Sequence, residues 1–310
     1  MSELPPVRIG ARGSPLSLAQ TGLVRDALAA ANPDRTFEIV PIVTTGDRIQ
    51  DRRLQDAGGK GLFTKELDEA MLEGRIDLAV HSMKDLPTAL PDRIVLAGVP
   101  KREDPRDALI CALDVKSLLD LPEGARIGTA SLRRQAQLLS LRPTFQISML
   151  RGNVETRLRK VNEGEVDATL LAYSGLRRLG LDHHAKALLD PVESPPAGGQ
   201  GALAITARSD DSVMAGVLAP VEDLATRLEI TAERAFLAAL DGSCRTPIAA
   251  LGRWSDGVIR FIGESLTPDG VHSWRRTETA ACATIEEAAA LGHRLGASIK
   301  AEAGDALYRD

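Results

Sequence analysis

Two stretches of this chain are each written twice. "RIGARGSPLSLAQ" (8–20) returns as "RIGTASLRRQAQLL" (126–139), keeping the order isoleucine, glycine, short loop, serine and leucine. "EGRIDLAVHSMKDL" (73–86) returns as "EGEVDATLLAYSGL" (163–176), keeping Glu-Gly, a spacer, an apolar residue, Asp, an apolar run and a serine at the run's exit. Internal similarity of this kind implies two units of the same construction, so the first copy predicts the second. In the first copy an apolar run at 6–10 leads into a Gly-rich turn. A helix follows, with Ser14 as N-cap and Pro15 at its first position. "FEIVPIV" (37–43) and "IDLAVHS" (76–82) read as strands and "LFTKELDEAMLEG" (62–74) as a helix, an alternation that predicts α/β architecture. Such sheets bind ligands at their strand ends.

The Pro-, Gly- and charge-rich segments "PKREDPRDALIC" (100–111) and "ESPPAGGQGALAI" (193–205) flank the second unit, and both read as crossings between lobes, hence a hinge. After "APVED" (219–223) the pattern changes to a long helix, apolar strands "IAALGRW" and "VIRFIGESL", and a last helix from "TIEEAAALGHRLGASIK". The expected domains are therefore 1–101 with 201–219 as a first α/β lobe, 102–200 as a second, and 220–310 as a small α+β domain. The fold class is α/β, with mixed or parallel sheets in two lobes around a cleft.

Composition narrows the partners. The chain carries a net charge of -5 and only 3% aromatic residues, which argues against nucleic acid, a stacking platform for single strands, or an anionic membrane. "MSELPPVRIGARG" has no basic segment followed by an apolar one, and no stretch is apolar for long enough to cross a bilayer, so a cytoplasmic protein is expected. Cys111, Cys244 and Cys282 are far apart and form no CxxC pair, and the expectation is neither a disulfide nor a metal. No long exposed apolar stripe calls for a partner, so a monomer is expected.

Within this acidic chain, residues 126–160 hold eight basic side chains (Arg126, Arg133, Arg134, Arg142, Arg151, Arg157, Arg159 and Lys160) against Glu155. Arginine forks suit carboxylate or phosphate. Arg133 and Arg134 fall in the first turn of a helix, where cations oppose the dipole and an anion would relieve them. A solvated face laced with ion pairs is the competing explanation. Arg12, Ser14 and Lys60 lie in Gly-rich loops, neither of which has Walker spacing, and a loop without a site remains open for Lys60. Asp85, beside Lys84 at a strand exit, suits acid/base work or cation stabilisation, or else caps a turn before Pro87. Cys111 reads as a small hydrophobe. Cys244, in "LDGSCRTPI" beside Arg245, suits a nucleophile or covalent attachment point.

"HSMKDLP", "GTASLRRQAQL", "RGNVETRLRK", "PAGGQGALAI" and "LDGSCRTPIAA", in this order and across nearly the whole chain, closely resemble the porphobilinogen deaminase (hydroxymethylbilane synthase) family. The resemblance implies a transferase of tetrapyrrole (haem and chlorophyll) biosynthesis. It condenses four porphobilinogen units head to tail with release of ammonia, then hydrolyses the product to hydroxymethylbilane. It further implies a dipyrromethane cofactor, made from substrate and held by a thioether at Cys244, with Lys84, Ser82, Thr129, Ser131, Arg133, Arg134 and Asn153 around it. Asp85 is implied as the catalytic residue, stabilising the azafulvenium cation left when ammonia departs. Arg12, Ser14, Gln20, Lys60, Arg151, Arg157 and Arg178 are implied as binders of the substrate's acetate and propionate groups. The family's motif reads Gly-Gly-Cys where this chain has Ser243, a residue small enough to keep the turn. Chain growth from a fixed cysteine would draw the product along the cleft, and the hinge would permit it.

Two other classes compete. A non-enzymatic, two-lobed anion-binding protein of the periplasmic type would share the fold of the lobes. A nucleic-acid-binding module using residues 126–160 would bind in a strongly salt-dependent way, which the acidic total and scarce aromatics oppose.

Overall fold

The computed structural model describes residues 4–48, 61–240 and 246–308. Contacts divide the chain into two units, one formed by residues up to Glu103 with Ala202–Arg227, the other by Asp104–Gly201 with the chain from Leu228 onward.

The first unit runs β1 (Val7–Arg12), α1 (Pro15–Ala31), β2 (Phe37–Ile42), α2 (Thr45–Arg48), α3 (Lys65–Leu72), β3 (Leu78–Ser82) and β4 (Ile94–Gly98). Local chemistry starts α1 where expected: the Ser17 backbone N–H donates to Ser14 Oγ, and Pro15 occupies the first helical position. Its buried residues Ser17, Thr21, Val24 and Leu28 recur every three to four positions and, with Gln20 beside them, turn one face to the sheet. Pro41 is tolerated in β2 because β2 is the sheet's edge. The core gathers Ile9, Leu78 and Val80 from the strands with Val24 and Leu28 from α1.

The second unit runs β5 (Asp107–Cys111), β6 (Arg126–Gly128), α4 (Leu132–Leu141), β7 (Gln146–Ser148), α5 (Val154–Asn162), β8 (Ala168–Ala172), α6 (Tyr173–Arg178) and β9 (Ala187–Leu188). Beyond it come β10 (Leu203–Arg208) and α7 (Ser212–Leu218), which complete the first unit, and α8 (Leu224–Ala239). The sheet order is β2-β1-β3-β10-β4 in the first unit and β7-β6-β8-β5-β9 in the second. In each, the first three strands run parallel, and the fourth (β10 or β5) runs antiparallel to both of its neighbours. The repeated motifs therefore occupy equivalent strands, β1 with β6 and β3 with β8. Each sheet is mixed, because its fourth strand comes from the far side of a chain crossing.

The C-terminal part is a separate three-stranded antiparallel meander, β11 (Ile248–Ser255), β12 (Val258–Leu266) and β13 (Ser273–Ala281), followed by α9 (Ile285–Ala303). Phe236 of α8, Phe261 of β12 and Leu295 of α9 share its core. β13 is absent from the sequence reading because "SWRRTETAA" keeps only one half-buried face and has no apolar run. β4 is likewise missed. Residues 220–227, expected with the C-terminal domain, belong to the first unit. The Val99 backbone N–H donates to Glu222 (2.7 Å), the Asp223 N–H to the Val99 carbonyl (2.9 Å), and Arg227 to the Leu96 carbonyl (3.1 Å). The remainder, from Leu228, packs with the second lobe: Gln135 donates to the Pro268 carbonyl at 3.2 Å and Gln137 to Glu264 at 3.0 Å.

Candidate active site

In the first unit the loop after β1, the start of α1 and the exit of β3 converge on an open pocket, whose lining includes Arg12, Ser14, Gln20, His81, Ser82 and Asp85. The strand-end rule for α/β sheets places it there. β3 ends at Ser82, a single 3-10 turn spans Met83–Asp85, and Lys84 and Asp85 are both exposed. Gln20 and Ser82 hydrogen-bond each other at 3.0 and 3.1 Å. Ser14 caps α1 while facing the pocket. His81 is buried, its Nε2 lying 3.0 Å from Thr206 Oγ1, and burial together with the nearby Arg12 charge lowers its pKa to about 4.

Arg12 is not an isolated cation. Its guanidinium pairs with Asp47, lies 3.9 Å from the Phe63 ring centroid, and is half-buried. Burial would raise Asp47, but hydrogen bonds from Arg12 and Thr44 outweigh it and hold the carboxyl below its usual range. Sequence reading missed Asp47 and Phe63, which approach Arg12 only in the folded sheet. Lys60, and Cys244 with its neighbours Ser243 and Arg245, lie outside the described residues.

In the second unit the same geometry recurs at the start of α4. Ser131 caps the helix by accepting from the Arg134 N–H, and the Ser131 N–H donates to Thr129 Oγ1 at 3.1 Å. Asn153 caps α5 by accepting from the Thr156 N–H at 2.8 Å. Arg157 donates to the Gly152 carbonyl (2.9 Å) and Arg178 to the Gly201 carbonyl (2.6 Å), while Arg151 is half-buried.

Ion pairing, the competing explanation for residues 126–160, accounts for part of the charge, with the acids coming from outside the segment. Arg126 pairs with Asp167, Arg159 with Glu163 and Lys160 with Glu165. Arg133 and Arg134, expected as open anion binders, are 5% and 6% exposed and share one carboxylate. Arg133 Nη2 donates to Asp107 Oδ2 at 2.8 Å and Arg134 Nη2 to Oδ1 at 2.7 Å. Burial alone would raise Asp107, but the two guanidinium charges overcome it and hold the carboxyl far below the carboxylate range. Gln200 adds a third donor, to Oδ1, at 2.9 Å.

This pairing leaves a remainder. Two cations face one shared anion, and the Nε atoms of both arginines are buried without a hydrogen-bond acceptor. A buried donor without a partner costs about 1–3 kcal/mol, more when charged. The sequence reading named both arginines and missed Asp107 and Gln200. The one local hint was the acid-rich "REDPRDAL" run.

Fold and side chains together define an α/β protein whose strand ends gather polar and basic groups. Residues 7–216 match the family described as porphobilinogen deaminase, dipyromethane cofactor binding domain, and residues 227–301 match porphobilinogen deaminase, C-terminal domain. The chain is 54% identical to the porphobilinogen deaminase of Caulobacter sp. (strain K31), over 97% of this chain and 98% of that one. It is 52% identical to that of Phenylobacterium zucineum, over 99% of both. A solved structure, the probable amino-acid ABC transporter extracellular-binding protein YtmK of Bacillus subtilis, is similar at 12% identity and TM-score 0.43, covering 70% of this chain and 90% of that one; so shallow a likeness adds nothing to the argument. The chain belongs to the porphobilinogen deaminase family. It is a transferase with a dipyrromethane cofactor, and the non-enzymatic anion-binding reading is set aside.

Proposed function

We propose that this enzyme joins four porphobilinogen molecules head to tail, releasing ammonia at each addition, and hydrolyses the linear product to hydroxymethylbilane, with Asp85 as its acid/base. The observation that carries the reading is the buried pair Arg133 and Arg134, which holds one more positive charge than Asp107 offsets and two Nε donors without acceptors.

The residues fit the cofactor's chemistry. Every pyrrole made from porphobilinogen carries an acetate and a propionate, and carboxylates are what Arg133 and Arg134 lack. Thr129, Ser131 and Asn153, with Ser82 and Lys84 of the first unit, supply further polar contacts, and Cys244 supplies the thioether anchor. When bound, the dipyrromethane supplies the pyrrole carbon to which the first substrate unit is joined. Arg12, Ser14, Gln20, Lys60, Arg151, Arg157 and Arg178 bind substrate carboxylates; in Arg12 the pairing with Asp47 fixes the guanidinium plane and leaves its remaining N–H groups for a ligand.

Asp85 handles a proton and a charge. As the substrate's aminomethyl C–N bond breaks, the electron pair leaves with nitrogen, which takes the proton of the Asp85 carboxyl and departs as ammonia. The carboxylate then faces the cation left at the methylene carbon. After the new C–C bond forms, the same carboxylate accepts the proton displaced from the pyrrole carbon and is ready for the next unit.

A monomer in the cytoplasm, without nucleic acid or membrane as partner, completes the reading. Cys111 and Cys282 are buried thiols, as a reducing compartment favours, and no helix among the described residues is long and apolar enough to cross a membrane. Sedimentation at working concentration should give one species of single-chain mass.

The deciding measurement is the intact mass of the purified protein against its Cys244→Ser variant. Extra mass equal to two linked pyrroles, lost in the variant and restored to apoprotein by porphobilinogen, supports the assignment. Wild-type protein that stays unmodified after incubation with porphobilinogen overturns it.

A further inference from the structure

Glu264 lies on β12 in the C-terminal meander and is only 6% exposed. Its Oε2 accepts from Gln137 Nε2 at 3.0 Å, and Gln137 Oε1 accepts from Arg133 Nη1 at 2.8 Å. The second proton on Gln137 Nε2 goes to the Pro195 carbonyl at 3.0 Å, which also accepts from Arg133 Nη1 at 3.1 Å. The orientation of this amide has one solution. A guanidinium can only donate and a carboxylate accepts, so the amide oxygen must face Arg133 and the amide nitrogen must face Glu264. Every donor and acceptor of the Gln137 side chain is then engaged.

From this geometry we infer that Glu264 is a positioning residue for Arg133, acting through Gln137. Asp107 holds Arg133 at Nη2 and the relay holds it at Nη1, so the guanidinium is pinned at both outer nitrogens. A planar fork fixed at two corners cannot rotate, so the direction of its third donor, the buried Nε, is fixed with it. The supporting acid comes from the small domain that also carries Cys244, so that domain contributes to orienting the arginine pair as well as to the covalent anchor. Without Glu264, one proton of Gln137 loses its acceptor and the amide is held only by the Pro195 carbonyl and Arg133, so the second corner of Arg133 is loosened. The inference rests on the assignment of Arg133 as a binder of acidic groups.

The test is the rate at which apoprotein gains the dipyrromethane mass on incubation with porphobilinogen, read by intact mass, together with the arginine Nε–H resonances of the apoprotein. Four variants are compared: Glu264→Leu, Glu264→Gln, the double variant Glu264→Leu with Gln137→Met, and Arg133→Lys. Glu264→Leu should slow loading by roughly ten- to a hundredfold and broaden or shift the Arg133 Nε–H signal. Glu264→Gln, which still offers Gln137 an acceptor, should restore both. The double variant replaces both relay partners by apolar groups of similar shape. It should load no slower than Glu264→Leu, because the two residues act as one unit. Losses that multiply in the double variant, or a Glu264→Leu protein with unchanged loading and an unchanged Arg133 signal, would overturn the inference while Arg133→Lys still blocks loading. If Arg133→Lys loads normally, the assignment of Arg133 fails, and this inference with it.

Discussion

Asp85 and Asp107 both stand at strand ends, and their surroundings assign them opposite work. Asp85 is exposed at a pocket wall, where a carboxylate can reach a substrate proton. Asp85→Asn should lower turnover by roughly 10²–10⁴-fold with the cofactor mass retained, the range expected on losing a general acid/base. Steady-state rates and intact mass on the same sample check this. Asp107 is buried and saturated by Arg133, Arg134 and Gln200, so its role is to hold others. Asp107→Asn leaves two buried cations without their counter-ion and should cost about 3–5 kcal/mol in urea unfolding. Because the folded carboxyl titrates below the unfolded one, its contribution is complete above the unfolded value and lost only on further acidification. The difference between wild type and variant should therefore stay constant between about pH 5 and 8.

At the scale of elements, α3 and β3 carry opposing pH dependences. Burial, reinforced by the Glu69 charge and opposed by a hydrogen bond from Thr64, raises Asp68 on α3 to about 6, whereas His81 on β3 is lowered to about 4. Between these values the folded state holds the Asp68 proton that the unfolded chain releases, so stability falls as pH rises. His81 does the reverse: the unfolded chain binds the proton, and stability falls as pH drops. The two slopes nearly cancel in the wild type. Asp68→Asn removes one, so the stability of the variant relative to wild type should rise by roughly 2–3 kcal/mol from pH 4 to 6; denaturant titrations of both proteins across that range decide it. The seat of α4 is tested separately. Gly270, at φ +73, brings the turn after β12 against that helix, and a Cβ there would lie 2.5 Å from the Ala136 carbonyl and the Ser140 nitrogen. Gly270→Ala should cost about 2–3 kcal/mol in the same assay, from strain and overlap together.

For the molecule as a whole, the uncompensated charge of the arginine pair links cofactor and stability. Two buried charged donors that gain acceptors contribute about 1.5–3 kcal/mol each, so holoprotein should melt on the order of 10 °C above apoprotein. Calorimetry of the wild type against Cys244→Ser reads the difference. Equal melting temperatures would mean that the cofactor's acidic groups are not met by Arg133 and Arg134.

Much of this was legible in one dimension, wherever neighbours in the chain decide the outcome. The doubled motifs announced two sheets of like order, Ser14 and Pro15 started α1 as caps and first-turn prolines do, and the "HSMKDLP" and "SLRRQAQL" segments named the strand exit and helix start that carry the site. Three features were decided only by tertiary structure. β10 and β5 enter their sheets antiparallel because the chain crosses between units, a fact no hydrophobic period records. Arg133 and Arg134 looked like free cations because Asp107 stands 26 and 27 residues away on another strand, and Glu264 reaches Gln137 across 127 residues. Periodicity and capping act within a few residues, whereas the partner of a buried charge is set by which strands and helices close around it.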